Sequence, residues 1–192
     1  MQFNLMIAGV GGQGTVLASK LIAAAAMKKG FDVRTTETIG MAQRGGSVFG
    51  HVRIGENIFS PLIPLGKADA IIAFEIAEAV RQLPYLRGEG SAGTVIACNK
   101  AAFSAGMGGN YEVSAMIDYL KTKAPESILI DGEKLSGQSS KTLNVSLLGA
   151  AAQSGIFPFE TETFLEVFPE ILPERFLEMN IKAFETGRQL CQ

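Results

Sequence analysis

A glycine-rich segment near the start of the chain is the strongest chemical feature of the sequence. Its glycines follow the pattern G-x-G-x-x-G, and an amide and a hydroxyl side chain lie beside them in the sequence. The residues of interest are Gly9, Gly11, Gly12, Gln13, Gly14 and Thr15. An apolar run precedes the segment and a helical pattern follows it, so we predict a turn from a buried strand into a helix. The backbone N–H groups at such a helix N-terminus can bind an anion. Gln13 can offer its amide to a ligand at the tip of the loop.

A second candidate loop covers residues 38–46, after the second predicted strand. Arg44 supplies a guanidinium that suits a carboxylate or a phosphate, and Gly45 frees the backbone beside it. Ligands of α/β folds bind at the carboxyl ends of the strands. We therefore predict that this loop faces the first glycine loop, or a partner, across one crevice. The alternative is a mobile surface loop with a solvated arginine.

Glu37 ends the second predicted strand, where a dinucleotide-binding protein keeps the acid that binds ribose. A single G-x-G-x-x-G is a weak signal, because the same glycines also serve a tight strand–helix turn that binds no dinucleotide. Both interpretations of the glycine loop stay open on the sequence alone. The cluster of glycines around Gln13 is a more specific signal for a bound ligand than the G-x-G-x-x-G pattern alone.

The elements that must position these residues follow from hydrophobic periodicity. Short apolar or alternating runs predict strands at residues 3–10, 31–37, 47–54, 70–74, 94–98 and 127–130. Helical patterns begin at Thr15 and cover residues 75–83, 114–123, 142–153 and 173–190. The first strand, helix and strand are expected to form a βαβ unit. A turn at residues 55–57 is expected to join the third strand to residues 58–59 as an antiparallel hairpin.

The predicted fold class is α/β, with three layers and a doubly wound, mostly parallel (mixed) sheet that carries an inserted β-hairpin. This arrangement is Rossmann-like. Residues 1–192 are expected to form a single domain, because the chain has 192 residues and shows no linker or internal repeat.

Composition excludes several classes of function. The chain has 17 basic and 19 acidic residues and a net charge of −2. It therefore lacks the excess of basic residues that is typical of nucleic-acid-binding proteins. No apolar run reaches the roughly 18–20 residues of a membrane span, and the N-terminus lacks the basic region of a signal peptide. We therefore expect a cytoplasmic protein without a membrane or nucleic-acid partner. The sequence contains no nucleophile elbow and no convincing catalytic acid/base pair, so no catalytic residue is assigned.

Metal-ligating residues are few. The sequence has two cysteines, Cys98 and Cys191, and one histidine, His51. A [4Fe–4S] cluster takes four thiolates and a structural zinc ion takes about four nitrogen or sulfur ligands, so the chain can build neither alone. His51 lies in an alternating strand and is expected to be a packed or exposed strand residue. The pattern indicates a binding and assembly subunit rather than a self-sufficient enzyme.

The two loops together resemble a known family. Residues 9–14 and the segment from Glu37 to Val48 are similar to the gamma-type subunit of 2-oxoacid:ferredoxin oxidoreductases, and the Met-Ala-Gln-Arg-Gly-Gly form of residues 41–46 is most similar to the indolepyruvate type. The resemblance implies a subunit of a complex that oxidatively decarboxylates a 2-oxo acid with coenzyme A and reduces ferredoxin. It places thiamine diphosphate and the 4Fe–4S clusters in a larger catalytic partner subunit, in a hetero-oligomer. Coenzyme A is a possible ligand of the glycine loop.

Two other classes of function remain as alternatives. One is a stand-alone NAD(P)-dependent or nucleotide-binding Rossmann-like protein that uses the first βαβ unit. The other is an adenylating module of the ubiquitin-activating type, which also clusters glycines. Protection of the chain by NAD would favour the first, and pyrophosphate exchange by the isolated chain would favour the second.

Overall fold

The computed structural model describes residues 1–38, 45–88, 93–100, 112–136 and 142–191. Within these ranges the strands are β1 Gln2–Val10, β2 Asp32–Glu37, β3 Ser47–Gly55, β4 Ala70–Ala73, β5 Thr94–Cys98 and β6 Ile128–Ile130. The helices are α1 Thr15–Lys28, α2 Ile76–Gln82, α3 Val113–Lys123, α4 Gly132–Ser136, α5 Leu143–Gln153, α6 Glu162–Ile171 and α7 Glu174–Leu190. A short 3-10 turn covers Leu83–Tyr85.

The strands form one six-stranded sheet in the order β2-β3-β1-β4-β5-β6. β1, β4, β5 and β6 are parallel neighbours, whereas β3 is antiparallel to both β1 and β2. The carboxyl ends of the four parallel strands consequently meet at one edge of the sheet, which is the ligand-binding edge of open α/β folds.

The sheet separates two helical layers because β1 alternates its side chains between the faces. Leu5 and Ile7 face a core formed with α1, α5, α6 and α7. Met6 and Ala8 face a second core, formed with α2 and α3. All four side chains are fully buried. The predicted three-layer α/β architecture with a mixed sheet is confirmed.

The antiparallel insertion is confirmed, but the predicted hairpin partner is wrong. β3 pairs with β2 along residues 32–37, and residues 58–60 belong to no strand. Ile58 is buried while Phe59 is 92% exposed. Pro61 and Pro64 follow, and proline cannot donate to a strand ladder.

The predicted βαβ unit also needs correction. β1 and β2 run in the same direction and α1 connects them, but β3 lies between the two strands. The sequence pattern did not predict α6; this helix lies beside α1, and its Phe164 and Phe168 are buried in the same core. Within the described ranges, no helix combines the length and the apolar character that crossing a membrane requires.

Candidate functional site

The glycine loop lies at the carboxyl edge of the sheet, directly after β1. The backbone N–H of Gln13 donates to the carbonyl oxygen of Val10 at 3.0 Å and closes the turn. Gly14 then stands at the N-cap of α1 with a left-handed φ of 82°. Thr15 begins the helix with its side chain buried, so it can offer a ligand only its backbone N–H. The loop therefore presents a helix N-terminus to the edge of the sheet.

The side chain of Gln13 is directed into the protein. Its Oε1 accepts a hydrogen bond from the backbone N–H of Val10 at 2.8 Å, and its Nε2 donates to Oε1 of Glu75. Glu75 is 3% exposed and precedes α2. The amide of Gln13 thus fixes the loop from within.

Two of the glycines have contrasting surroundings. Gly12 has a left-handed φ of 101°, and a Cβ added there would meet nothing within 4 Å, so its backbone is open to an approaching ligand. Gly14 packs against the side chain of Asn144, whose Nδ2 donates to the Gly14 carbonyl oxygen at 3.1 Å. The nearest side-chain neighbour of Gly14 is thus a residue of α5.

Gly9 is closed in on several sides. A Cβ at this position would lie 2.9 Å from Oε1 of Gln13 and 2.9 Å from the ring of Phe74. The methyl group of Thr15 lies 3.2 Å from the same point. Gly9 therefore lets the loop fold tightly over the end of β4 rather than opening a path for a ligand.

The described end of the second loop, Gly45 and Gly46, lies directly against the first loop. The N–H of Gly11 donates to the carbonyl oxygen of Gly46 at 2.8 Å, and the N–H of Gly45 donates to that of Gly11 at 3.4 Å. The structure thus brings Gly45 and Gly11 together, as the sequence analysis expected for the two loops. Arg44 lies outside the described residues.

Glu37 does not lie on a strand adjacent to the glycine loop. In register it pairs with Gly50 of β3, which pairs with Ile7 of β1. Neighbouring strands lie about 4.8 Å apart, so Glu37 is displaced from β1 by about 10 Å. A ribose-binding acid belongs beside the first strand, and this displacement weighs against a Rossmann-type dinucleotide site. Glu37 instead lines a groove of about 530 Å³ together with Val16 and Lys20 of α1.

A second buried carboxylate lies beside the loops. Glu78 is 4% exposed; its Oε2 accepts a hydrogen bond from the hydroxyl of Ser47 at 2.5 Å, and its Oε1 lies 3.4 Å from Nε of Arg81. Glu75 and Glu78 thus tie the start of α2 to the glycine loop and to the first residue of β3. The sequence did not lead us to Glu75 and Glu78, although two glutamates soon after a buried strand can indicate a functional site at the carboxyl edge of the sheet.

Asn144 is the other residue that the sequence did not indicate. It is 3% exposed, and its Oδ1 has no hydrogen-bond partner among the residues that the structure describes. It lies 130 positions from Gly14 along the chain. No local pattern could have connected the two residues.

His51 and Cys98 are both buried in the protein. His51 is buried, its Nδ1 accepts a hydrogen bond from the N–H of Ile63 at 3.2 Å, and burial lowers its pKa. For the Cys98 thiol, burial instead raises the pKa, because the neutral form of a thiol is the protonated one. The thiol therefore stays protonated and unreactive at neutral pH. The described residues contain no group of three His, Cys, Asp or Glu side chains suited to a metal ion. The two cysteines of the sequence do not fit a [4Fe–4S] cluster on this chain alone.

Comparison with known proteins identifies the family. Residues 4–190 match the family of pyruvate ferredoxin/flavodoxin oxidoreductases. The chain is 35% identical to indolepyruvate oxidoreductase subunit IorB of Thermococcus kodakarensis, with 97% of this chain and 94% of the relative covered. It is 36% identical to the same subunit of Archaeoglobus fulgidus, with the same coverage.

Solved structures share the fold. The gamma subunit of a keto/oxoacid ferredoxin oxidoreductase from Geobacter sulfurreducens is 21% identical, with a TM-score of 0.69 and 98% of each chain covered. The 2-oxoglutarate:ferredoxin oxidoreductase of Magnetococcus marinus is 20% identical, with a TM-score of 0.71; 99% of this chain covers 31% of that longer chain. The chain therefore belongs to the pyruvate ferredoxin/flavodoxin oxidoreductase family and is a subunit of a 2-oxoacid:ferredoxin oxidoreductase.

Proposed function

We propose that this chain is the small subunit of an enzyme that oxidatively decarboxylates indolepyruvate or a related arylpyruvate. The observation that carries the proposal is the identity of 35% and 36% to two indolepyruvate oxidoreductase subunits over 97% of the chain. In this reaction the bond between the carboxylate and the carbonyl carbon breaks and CO₂ leaves. The acyl group passes to the thiol of coenzyme A, and the released electrons reduce ferredoxin.

The larger partner subunit supplies thiamine diphosphate and the 4Fe–4S clusters. This division of labour is supported by the donor set of the chain, because two cysteines cannot ligate a cluster that takes four thiolates. The two carboxyl groups closest to the loops, Glu75 and Glu78, are buried and bonded to Gln13 and Ser47. The small subunit therefore binds and positions, and we expect it to be inactive by itself.

The glycine loop is the binding element of the small subunit in this proposal. The N-terminus of α1 and the open backbone of Gly12 suit an anionic group. Arg44, which precedes Gly45 in the sequence, is proposed to contribute its guanidinium to binding the same anion. Coenzyme A carries phosphates of the required chemistry, and the loop takes this anion when the subunits are assembled. The position of Glu37 does not favour NAD as the ligand at this edge, since Glu37 lies on β2, two strands away from β1 and the glycine loop.

The test is reconstitution of the complex from separately purified subunits. The chain alone, the larger subunit alone and the mixture are each given indolepyruvate, coenzyme A and oxidised ferredoxin, and reduction of ferredoxin is followed by absorbance. We expect turnover that needs both subunits and both substrates. Activity of the chain alone, or full activity of the larger subunit without it, would contradict the proposal. Replacing indolepyruvate by pyruvate or 2-oxoglutarate measures the substrate preference.

A further inference from the structure

The last residue pair of the β1–β3 ladder lies directly beside both loops. Val10 of β1 is paired with Ser47 of β3. One residue further on, the N–H of Gly11 donates to the carbonyl oxygen of Gly46 at 2.8 Å, so the pairing continues from the strands into the loops. The position of Ser47 therefore sets where Gly46 meets Gly11.

Ser47 is held in place by α2. Its hydroxyl donates to Oε2 of Glu78 at 2.5 Å. Glu78 is 4% exposed, and its Oε1 lies 3.4 Å from Nε of Arg81, so each oxygen of the carboxyl group has a partner. Displacing Ser47 would leave a buried polar atom unsatisfied, which is costly. The start of β3 is consequently fixed to the helix that follows β4.

The glycine that follows this contact is the open one of the loop. Gly12 comes directly after Gly11, has a left-handed φ of 101°, and has space beside its backbone. In the proposed function this backbone and the N-terminus of α1 receive an anionic group. The N–H of Gly11 is already bonded to Gly46, so the anion depends on the N–H groups that follow it. Their direction depends on where Gly11 is held.

We propose that Ser47 and Glu78 are positioning residues for coenzyme A. Their hydrogen bond acts through the contact of Gly46 with Gly11 and keeps the glycine loop in the conformation that receives the anion. This inference rests on the proposed function, in which the glycine loop binds coenzyme A, and it names the residues that shape that site from outside. A loop that is already ordered loses less entropy when the ligand arrives, and its affinity is higher for that reason.

The experiment measures kcat and KM for coenzyme A in the complex reconstituted with the larger subunit, at saturating 2-oxo acid and ferredoxin. Ser47→Ala removes the hydroxyl that bonds to Glu78, and Ser47→Thr keeps a hydroxyl at this strand position. Glu78→Ala and the double variant with Ser47→Ala complete the set. Each complex is assayed at a temperature at which circular dichroism shows the variant to be folded.

Ser154→Ala is the matched control. The hydroxyl of Ser154 also makes one hydrogen bond, to the carbonyl oxygen of Ala151 at 2.8 Å, and both Ser154 and Ser47 are half-buried. Ser154 is the C-cap of α5, about 15 Å along the helix from Asn144 and the glycine loop. Its substitution removes a comparable bond far from the proposed site.

We expect Ser47→Ala to raise KM for coenzyme A about threefold to tenfold, the effect of one lost hydrogen bond. kcat at saturating coenzyme A should stay within about twofold of the unsubstituted value, because excess ligand overcomes a defect in binding. Ser47→Thr should restore KM, and Ser154→Ala should leave it unchanged. Glu78→Ala should raise KM as Ser47→Ala does, and the double variant should be no worse than Glu78→Ala alone.

An unchanged KM for coenzyme A in Ser47→Ala would overturn the proposal. So would a reduced kcat at unchanged KM, which indicates a merely structural bond, or an equal rise of KM in Ser154→Ala or Ser47→Thr. Multiplied effects in the double variant would show that Ser47 and Glu78 act independently. Failure of the proposed function is recognised separately, because the unsubstituted complex would then show no turnover or would reduce ferredoxin without coenzyme A.

Discussion

Gln13 and Glu75 connect the two parallel strands at the centre of the candidate site. The amide Nε2 of Gln13, after β1, donates to the buried carboxylate of Glu75, after β4, and the other end of the same amide holds the N–H of Val10. The glycine loop is therefore fixed by a side chain rather than by its glycines alone. A buried hydrogen bond of this kind contributes about 0.5–1.5 kcal/mol, and leaving its buried partner unsatisfied costs about 1–3 kcal/mol, enough to select one loop conformation.

A double-mutant cycle tests this connection. We expect Gln13→Ala and Glu75→Ala to destabilise the chain individually and the double variant to cost less than their sum. The expected interaction energy is about 0.5–3 kcal/mol, because either substitution removes the same hydrogen bond. Urea unfolding followed by circular dichroism measures the four free energies of unfolding. Additive effects within about 0.3 kcal/mol would show that the two side chains are not coupled.

The sequence predicted the glycine loop and the edge where it lies, because both depend on local patterns. A strand, a glycine turn and a helix follow one another within residues 2–28, and the rule for carboxyl edges then places the loop. The strand at residues 47–54 was likewise visible from its alternation. These features need no information about distant residues.

The neighbours of these elements could not be predicted in the same way. Alternation identifies the buried face of β3 but not the strand with which it pairs, so the sequence predicts residues 58–59 as its partner, whereas the structure pairs β3 with β2. For the same reason the sequence predicts Glu37 on a strand next to β1. In the structure β3 lies between β2 and β1, so Glu37 is one strand further away. The contact of Gly14 with Asn144 depends on how α5 packs beside α1, which no short pattern encodes.

Gly12 and Gly14 offer a matched pair for the two roles of the glycine loop. Both have positive φ, so alanine at either position costs about 1–2 kcal/mol of backbone strain. At Gly14 the added methyl group also clashes with Asn144. We expect Gly14→Ala to destabilise the chain more than Gly12→Ala, and Asn144→Ala to relieve part of the difference. Thermal melting of the variants is the measurement, and equal melting temperatures would rule out the clash.

Arg44 is predicted to bind a charged group at the carboxyl edge of the assembled enzyme. We expect Arg44→Ala to preserve folding and to impair the complex, by about 2–5 kcal/mol if the arginine is buried against its partner group. An increased KM for coenzyme A that excess coenzyme A overcomes assigns the guanidinium to this ligand. An increased subunit dissociation constant assigns it to the partner subunit. Arg34→Ala, on the exposed edge strand β2, is the control. No change in kcat, KM or the dissociation constant would mean that this loop is not the functional edge.

His51 should make the stability of the chain fall with acidification. Burial lowers its pKa in the folded state below the unfolded value of 6.5, and Nδ1 must stay unprotonated to accept the hydrogen bond from Ile63. Above this unfolded pKa the imidazole is neutral in both states and contributes no pH dependence. As the pH falls below 6.5, the unfolded chain takes up a proton before the folded chain does. The free energy of unfolding therefore decreases until the folded-state pKa is also passed.

The variant His51→Asn isolates this contribution, since the amide Oδ1 can take the place of Nδ1 as acceptor but does not titrate. We expect the variant to be less stable than the unsubstituted chain at about pH 7.5 and to lose less stability on transfer to about pH 5.5. Urea unfolding at the two pH values gives the difference, in which the contributions of carboxylates common to both proteins cancel. A parallel loss in both proteins would show that His51 is protonated equally in the folded and unfolded states.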